Sequence, residues 1–179
     1  MYICKKGKQM KTLLAIAFTL LTFAFDAQTS LDKKVFQKIN EYRDSLNLPI
    51  LEWDDACYKG SNLQSTYIAS SNGKLSHENK TDSIKTAEDR YRISGGRKTL
   101  FLGEICNSTN KNYKVADTLI EEKLAIEIVS LWKKSPKHNK IMTEPRMRYG
   151  GCCVKISIGS TGIKTYTHYE AISAMLLFE

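Results

Sequence analysis

Residues 131–142 read LWKKSPKHNKIM, and this stretch, with RYGGCCVKI at residues 148–156, decides the fold. The first stretch closes a long amphipathic helix at Pro136, a residue that a helix interior does not tolerate. The second reads as a strand, and the turn sequence GSTG at residues 159–162 separates it from another strand. The end of the chain is therefore predicted to be a helix followed by a hairpin.

Similar sequence patterns predict the helices and strands of the rest of the chain. Apolar residues at helical spacing and short apolar runs predict helices over residues 30–46, 54–71, 83–93 and 115–134, and strands over residues 100–106, 147–158 and 163–177. Pro49 ends the first helix, and Asn72-Gly73 ends the second. Because the helices come first and the last strands form a hairpin, the pattern predicts an α+β domain with helices on the faces of an antiparallel sheet.

The first 27 residues differ from the rest. Four lysines precede the uninterrupted apolar run TLLAIAFTLLTFAF at residues 12–25, which Asp26 and Ala27 then break. This is the layout of a secretory signal peptide, and the run is shorter than the roughly 20 residues of a membrane span. We predict a signal peptide at residues 1–27 and one domain at residues 28–179 that has no transmembrane segment. The protein would be secreted or periplasmic; an N-terminal membrane anchor is the alternative.

Composition and charge exclude some functions. The chain has 179 residues, 42% of them hydrophobic and 26% charged, which suits one globular domain. Removing the leader takes four Lys and one Asp from 27 basic and 19 acidic residues, and leaves a net charge of about +5. Since basic residues do not cluster with interleaved aromatics, nucleic-acid binding is not predicted.

Four cysteines follow the leader: Cys57, Cys106, Cys152 and Cys153. Export to an oxidising compartment permits disulfides. The neighbours Cys152 and Cys153 would point to opposite faces of a strand, so a bond between them is not expected. A disulfide between Cys106 and one of them is the prediction.

Three ordered segments carry a family resemblance. The first is NEYRDSLNLPILEWDDA at residues 40–56, and the second is GKLSHEN at residues 73–79, followed by LGEIC at residues 102–106. The third is LWKKSPKHNKIM at residues 131–142, followed by RYGGCCVKI at residues 148–156. The set resembles the CAP superfamily, the fold of cysteine-rich secretory proteins and plant pathogenesis-related group one proteins. That family shows an N-x-x-R helix, a helix ending before a histidine, a G-E-N strand, a W-x-x-S-P-x-H segment and a G-x-G-like strand.

The resemblance implies a three-layer α–β–α sandwich with a central, mainly antiparallel sheet and a cleft lined by His and Glu. By position, His77 is the first cleft histidine, Glu104 the strand glutamate and His138 the second histidine. Two neutral imidazoles and one carboxylate can bind a divalent metal such as zinc and leave a fourth position open to water. These three residues are the predicted metal ligands; the catalytic residues are not assigned, and the same three are the cleft candidates.

Two departures from the family pattern affect the predicted chemistry. Ser135 stands where many eukaryotic members carry a second glutamate, as in shorter bacterial members, and Ile105 replaces the Asn of G-E-N. A zinc-bound water would need a general base, and Glu104 cannot comfortably be both ligand and base. The preferred prediction is therefore a non-enzymatic binding module with a lipid or protein ligand. A metal-dependent, peptidase-like hydrolase using the same cleft is the alternative.

Structural roles stay open for several of these residues. His77 could bond loop backbone, and His138 could cap the turn after Pro136. Glu104 lies in an apolar strand, where a buried carboxylate needs a partner, so a structural pair with His or Arg is an equal alternative to catalysis. The remaining expectations are a core role for Trp132, structural hydrogen bonds for Asn40 and Arg43, a strand-face position for His168, and a solvated face formed by Arg90, Arg92 and Arg97.

Overall fold

The structure is a computed structural model that describes residues 29–71, 74–98, 102–114, 118–160 and 166–179. The predicted leader at residues 1–27 lies outside these ranges. Within them, no helix combines the length and the apolar character needed to cross a membrane.

The described residues form five α-helices and four strands. The helices are α1 (Ser30–Ser45), α2 (Asp55–Ser70), α3 (Ala87–Ile93), α4 (Ile120–Lys134) and α5 (Pro136–Met142). The strands are β1 (Glu52–Trp53), β2 (Leu102–Lys114), β3 (Tyr149–Ser160) and β4 (Tyr166–Phe178). The expected mixed domain of helices and strands is confirmed.

Three elements differ from the sequence-based expectation. The helix expected at residues 83–93 is divided into a 3-10 turn, Asp82–Ile84, and α3, because Thr86 caps a new helix through Asp89. β2 continues eight residues past Cys106 through polar sequence, since its whole length pairs with β4. Pro136 both follows α4 and begins α5, because proline fits the first turn of a helix.

The sheet is mixed in direction and has the strand order β1-β3-β4-β2. β4 lies in the middle and pairs antiparallel with both β3 and β2. β1 pairs with β3 in parallel, through Glu52 with Tyr149 and Trp53 with Gly150. The sequence does not predict this parallel pair because β1 is only two residues long.

The main core lies between α1, α4 and the sheet. Its fully buried members include Val35, Ile39, Ile105, Ile128 and Trp132. The core role expected for Trp132 is confirmed, since none of its surface is exposed. Burial of such side chains stabilises the fold by about 1.5–3 kcal/mol each.

Two polar side chains of α1 hold the chain that leaves the helix. Asn40 bonds both backbone groups of Leu51, at 2.9 and 2.8 Å. Arg43 is fully buried and donates to the carbonyls of Pro49, Met142 and Met147. The roles expected for both residues as structural hydrogen-bond formers are confirmed. The hydrogen bond from Arg43 to the Met142 carbonyl also fixes the end of α5.

The predicted disulfide is absent, since none of the four buried cysteines Cys57, Cys106, Cys152 and Cys153 is in a disulfide. The reason lies in the register, because Cys106 and Cys153 both pair with Ala174 from opposite sides of β4. Two strand spacings separate them by about 9.6 Å, whereas a disulfide needs Cα atoms within roughly 7 Å. The prediction of a bond from Cys106 to β3 is therefore wrong.

Candidate functional site

Glu104 is the centre of the candidate site. Alternation along β2 turns Ile105 into the main core, while Cys106 packs with Ile68 of α2. Glu104 shares the Cys106 face, and its side chain is 4% exposed. Oε1 accepts a 2.6 Å hydrogen bond from Arg90 Nη2, and Oε2 lies 3.0 Å from His77 Nδ1. Both alternatives for a structural partner, a histidine and an arginine, are therefore realised together.

Arg90 is the residue that sequence reasoning placed wrongly. It was expected on a solvated face, but it is fully buried, whereas Arg92 beside it is 74% exposed. Besides Glu104, Arg90 donates to the carbonyls of Ile84, Lys85 and His77. A buried carboxylate on β2 was a signal that some cation must lie nearby. The local sequence of α3 does not say which of its arginines that is.

His77 lies on the segment between α2 and α3. Its backbone is fixed from two sides, because Arg90 donates to its carbonyl and Gln64 of α2 donates to that of Ser76. The imidazole is 56% exposed, and the bond to Glu104 raises its pKa against the opposing effect of burial. With Nδ1 turned to the carboxylate, the neutral ring carries its proton there and has Nε2 as the acceptor nitrogen.

His138 approaches the same point from α5. Its ring centroid lies 6.3 Å from that of His77, with the planes at 65°. Burial, and then the nearby His77, lower the pKa of His138, which favours the neutral ring that a metal needs. The next residue, Asn139, accepts a hydrogen bond from Tyr42 of α1, and this contact anchors α5.

Cys106 completes the buried side of the site. Its ligand atom and those of His77 and Glu104 all lie within 4.8 Å of one another. Burial, and then the carboxylate of Glu104, raise the pKa of the Cys106 thiol well above its usual value. Sequence reasoning assigned this cysteine to a disulfide and so missed its place beside Glu104.

We call His77, Arg90, Glu104, Cys106 and His138 the histidine site. The structure brings His77 and Glu104 into direct contact and sets His138 beside them. Imidazole nitrogen, carboxylate oxygen and thiolate sulfur are the donors that zinc prefers. The donor set therefore fits a borderline-soft divalent metal. Without a metal, the contact with Glu104 holds the imidazole of His77 in place at the surface.

Solved structures share the fold at low sequence identity. An outer surface protein from Borrelia burgdorferi is 19% identical with a TM-score of 0.58, over 85% of this chain and 95% of the other. An extracellular protein containing a SCP domain from Bacillus anthracis is 18% identical with a TM-score of 0.53, over 79% of this chain. The match spans only 40% of that Bacillus protein. No curated protein matches this chain significantly.

A family model matches residues 36–167, which include every member of the histidine site. The match begins within α1 and covers the other four helices, the first three strands and the first two residues of β4. The chain therefore belongs to the CAP family, the cysteine-rich secretory protein family.

Proposed function

We propose that this chain is an exported CAP-domain binding module whose histidine site holds a divalent metal, with zinc the best candidate. His77 and His138 supply imidazole nitrogens, and Glu104 supplies the carboxylate. The observation that carries the proposal is the buried ion pair of Arg90 and Glu104, whose second carboxylate oxygen contacts the exposed ring of His77 beside a second histidine. A metal there would supply a charged anchor for a ligand, and we propose a lipid or a protein as that ligand.

The contacts of the Glu104 carboxylate favour ligand binding over hydrolysis as the function of this site. Arg90 holds one oxygen of Glu104, and the other, which lies beside His77, is the one that the proposed metal would bind, so neither is left for a general base. A general base must reach the proton that it removes and be free to accept it. Ser135, at the position of the family's second glutamate, offers a hydroxyl that does not ionise at neutral pH. The site is therefore better suited to holding a metal and a ligand than to catalysing hydrolysis.

Export is the second part of the proposal. Residues 1–27 would be removed as a signal peptide, and residues 28–179 would form the mature domain. Thr29, two residues beyond the proposed cleavage position, caps α1 with a complete capping box. α1 itself begins at Ser30, three residues after the end of the proposed leader. The two similar solved structures carry the descriptions extracellular protein and outer surface protein, which supports the same location here.

The three-layer sandwich is proposed from the two neighbouring cysteines of β3. Cys152 Sγ lies 3.1 Å from the carbonyl oxygen of Asp32 in α1, and Cys153 Sγ lies 3.4 Å from Oδ1 of Asn62 in α2. Adjacent strand residues point to opposite faces of a sheet. The contacts therefore support α1 on one face and α2 on the other, with the sheet between them.

A zinc titration by calorimetry tests the metal. We expect the purified chain to bind one zinc ion, and a His77→Ala/His138→Ala variant to bind none, because both imidazoles are ligands. His168→Ala is the matched control, since this third histidine lies on β4 at the register of Gly159, and it is expected to bind zinc like the wild type. Unchanged binding in the double variant, or no binding by the wild type, would refute the metal site.

A further inference from the structure

We propose that Cys106 is a sulfur ligand of the metal held at the histidine site. The site would then select a borderline or soft ion such as Zn²⁺ over Mg²⁺ or Ca²⁺, which prefer oxygen ligands. This inference rests on the proposed metal binding, and it adds a ligand from the buried side that the family pattern of two histidines and a glutamate does not contain.

Geometry is the first support. Cys106 follows Glu104 by two residues in β2, so both side chains leave the same face of the sheet. The three ligand atoms of His77, Glu104 and Cys106 lie within 4.8 Å of one another. Bonds of zinc to nitrogen, oxygen and sulfur place neighbouring ligand atoms roughly 3.5 Å apart. Closing the set around one ion would therefore require any two of these atoms, now within 4.8 Å, to approach by at most about 1.3 Å.

Charge is the second support. Arg90 and Glu104 form a buried ion pair, so their charges offset each other. A divalent ion at this site would need a further anion, and coordination by the ion would deprotonate the Cys106 thiol despite its burial. The thiol S–H bond breaks, the sulfur keeps the electron pair and binds the ion, and the proton is released to solvent. No oxidant or reductant is required.

Access is the third support. Glu104 and Cys106 are almost fully buried, whereas the ring of His77 is 56% exposed. An ion can therefore meet His77 first, at the surface, and then reach the carboxylate and the thiol below it. Binding would replace the hydrogen bond between His77 and Glu104 with bonds to the ion.

Cobalt spectroscopy tests the sulfur directly. Co²⁺ takes zinc-like sites, and a thiolate ligand gives it a sulfur-to-metal charge-transfer band in the near ultraviolet. We expect the purified chain titrated with Co²⁺ to show this band, and Cys106→Ser to lose it and to bind Co²⁺ at least about tenfold more weakly. Cys153→Ser, which changes a cysteine of similar burial on β3, is expected to keep the band.

The possible outcomes are separable. Cobalt binding without the band would overturn the role of Cys106 and leave the proposed metal site standing. No cobalt binding by the wild type would overturn both. A band that persists in Cys106→Ser would assign the sulfur to another cysteine and refute the inference. Cys106→Ala, with circular dichroism to show that the variants fold, repeats the test without a polar group in the buried position.

Discussion

Arg90 supplies the positive charge that pairs with the buried carboxylate of Glu104. Neither side chain has meaningful contact with solvent, so removing one partner leaves a buried charge unpaired. We expect Arg90→Met to lower the free energy of unfolding by about 3–5 kcal/mol, measured by urea denaturation. Arg92→Met is the control, because that side chain is exposed and its loss is expected to cost no more than about 0.5 kcal/mol. Equal effects of the two variants would contradict the assignment of Arg90.

The pKa values of the two histidines should be shifted in opposite directions from the ordinary value. His77 is held by Glu104, which raises its pKa, whereas burial lowers that of His138. An NMR titration of the ring protons is expected to place His77 above the ordinary value of about 6.5 and His138 below it. In Glu104→Gln, the pKa of His77 should fall; a value unchanged from the wild type would show that the hydrogen bond is not formed in solution.

The same hydrogen bond makes stability depend on pH. Because the pKa of His77 is higher in the folded than in the unfolded chain, its contribution is fully present below about pH 6.5 and is lost as the pH rises through the folded value. Urea denaturation of the wild type and of Glu104→Gln, at a series of pH values from below about 6.5 upward, measures this contribution to the free energy of unfolding. The stability difference between the two proteins is expected to shrink as the pH rises, and a difference that grows would have the wrong sign.

At the scale of elements, Asp32 joins α1 to β3. Its buried carboxylate accepts from the backbone N–H of Thr29 and from that of Val154, both at 2.8 Å. Asp32→Ala removes a helix cap and leaves a strand N–H without its partner, so we expect a loss of about 2–4 kcal/mol. Asp44→Ala, at the exposed end of the same helix, should change stability little. If urea denaturation gives the same free energy of unfolding for the two variants, the contacts of Asp32 between α1 and β3 contribute nothing to stability.

The elements were predictable where a local signal marks them. Apolar spacing and helix stops place α1 and α2 within about two residues, a margin usual for such boundaries. The polar end of β2 and the two residues of β1 have no such signal, because only pairing with β4 and β3 makes them strands. His77, Glu104 and His138 come from the family resemblance, while Arg90 and Cys106 join the site through tertiary packing alone.

At the scale of the whole molecule, the part of the chain that the structure describes has four buried cysteines that form no disulfide, and this leads to a specific prediction for a protein that we propose is exported. The register separates Cys106 from β3 by two strand spacings, so oxidation cannot join them without rearranging the sheet. We expect four reactive thiols on denaturation of protein recovered from the exported fraction, and no change of Tm with reductant. A mass two hydrogens lower, restored by reductant, would show that a disulfide forms and that this part of the sheet differs in solution.

The most direct measurement of the central claim is anomalous diffraction at the zinc edge from crystals of this protein grown with zinc. We expect an anomalous peak beside His77, about 2.0–2.3 Å from its ligand atoms, with His138 turned toward it. If zinc is present in the crystals but no peak lies within bonding distance of His77, the histidine site is not a metal site, and the paired imidazole and carboxylate are part of the scaffold.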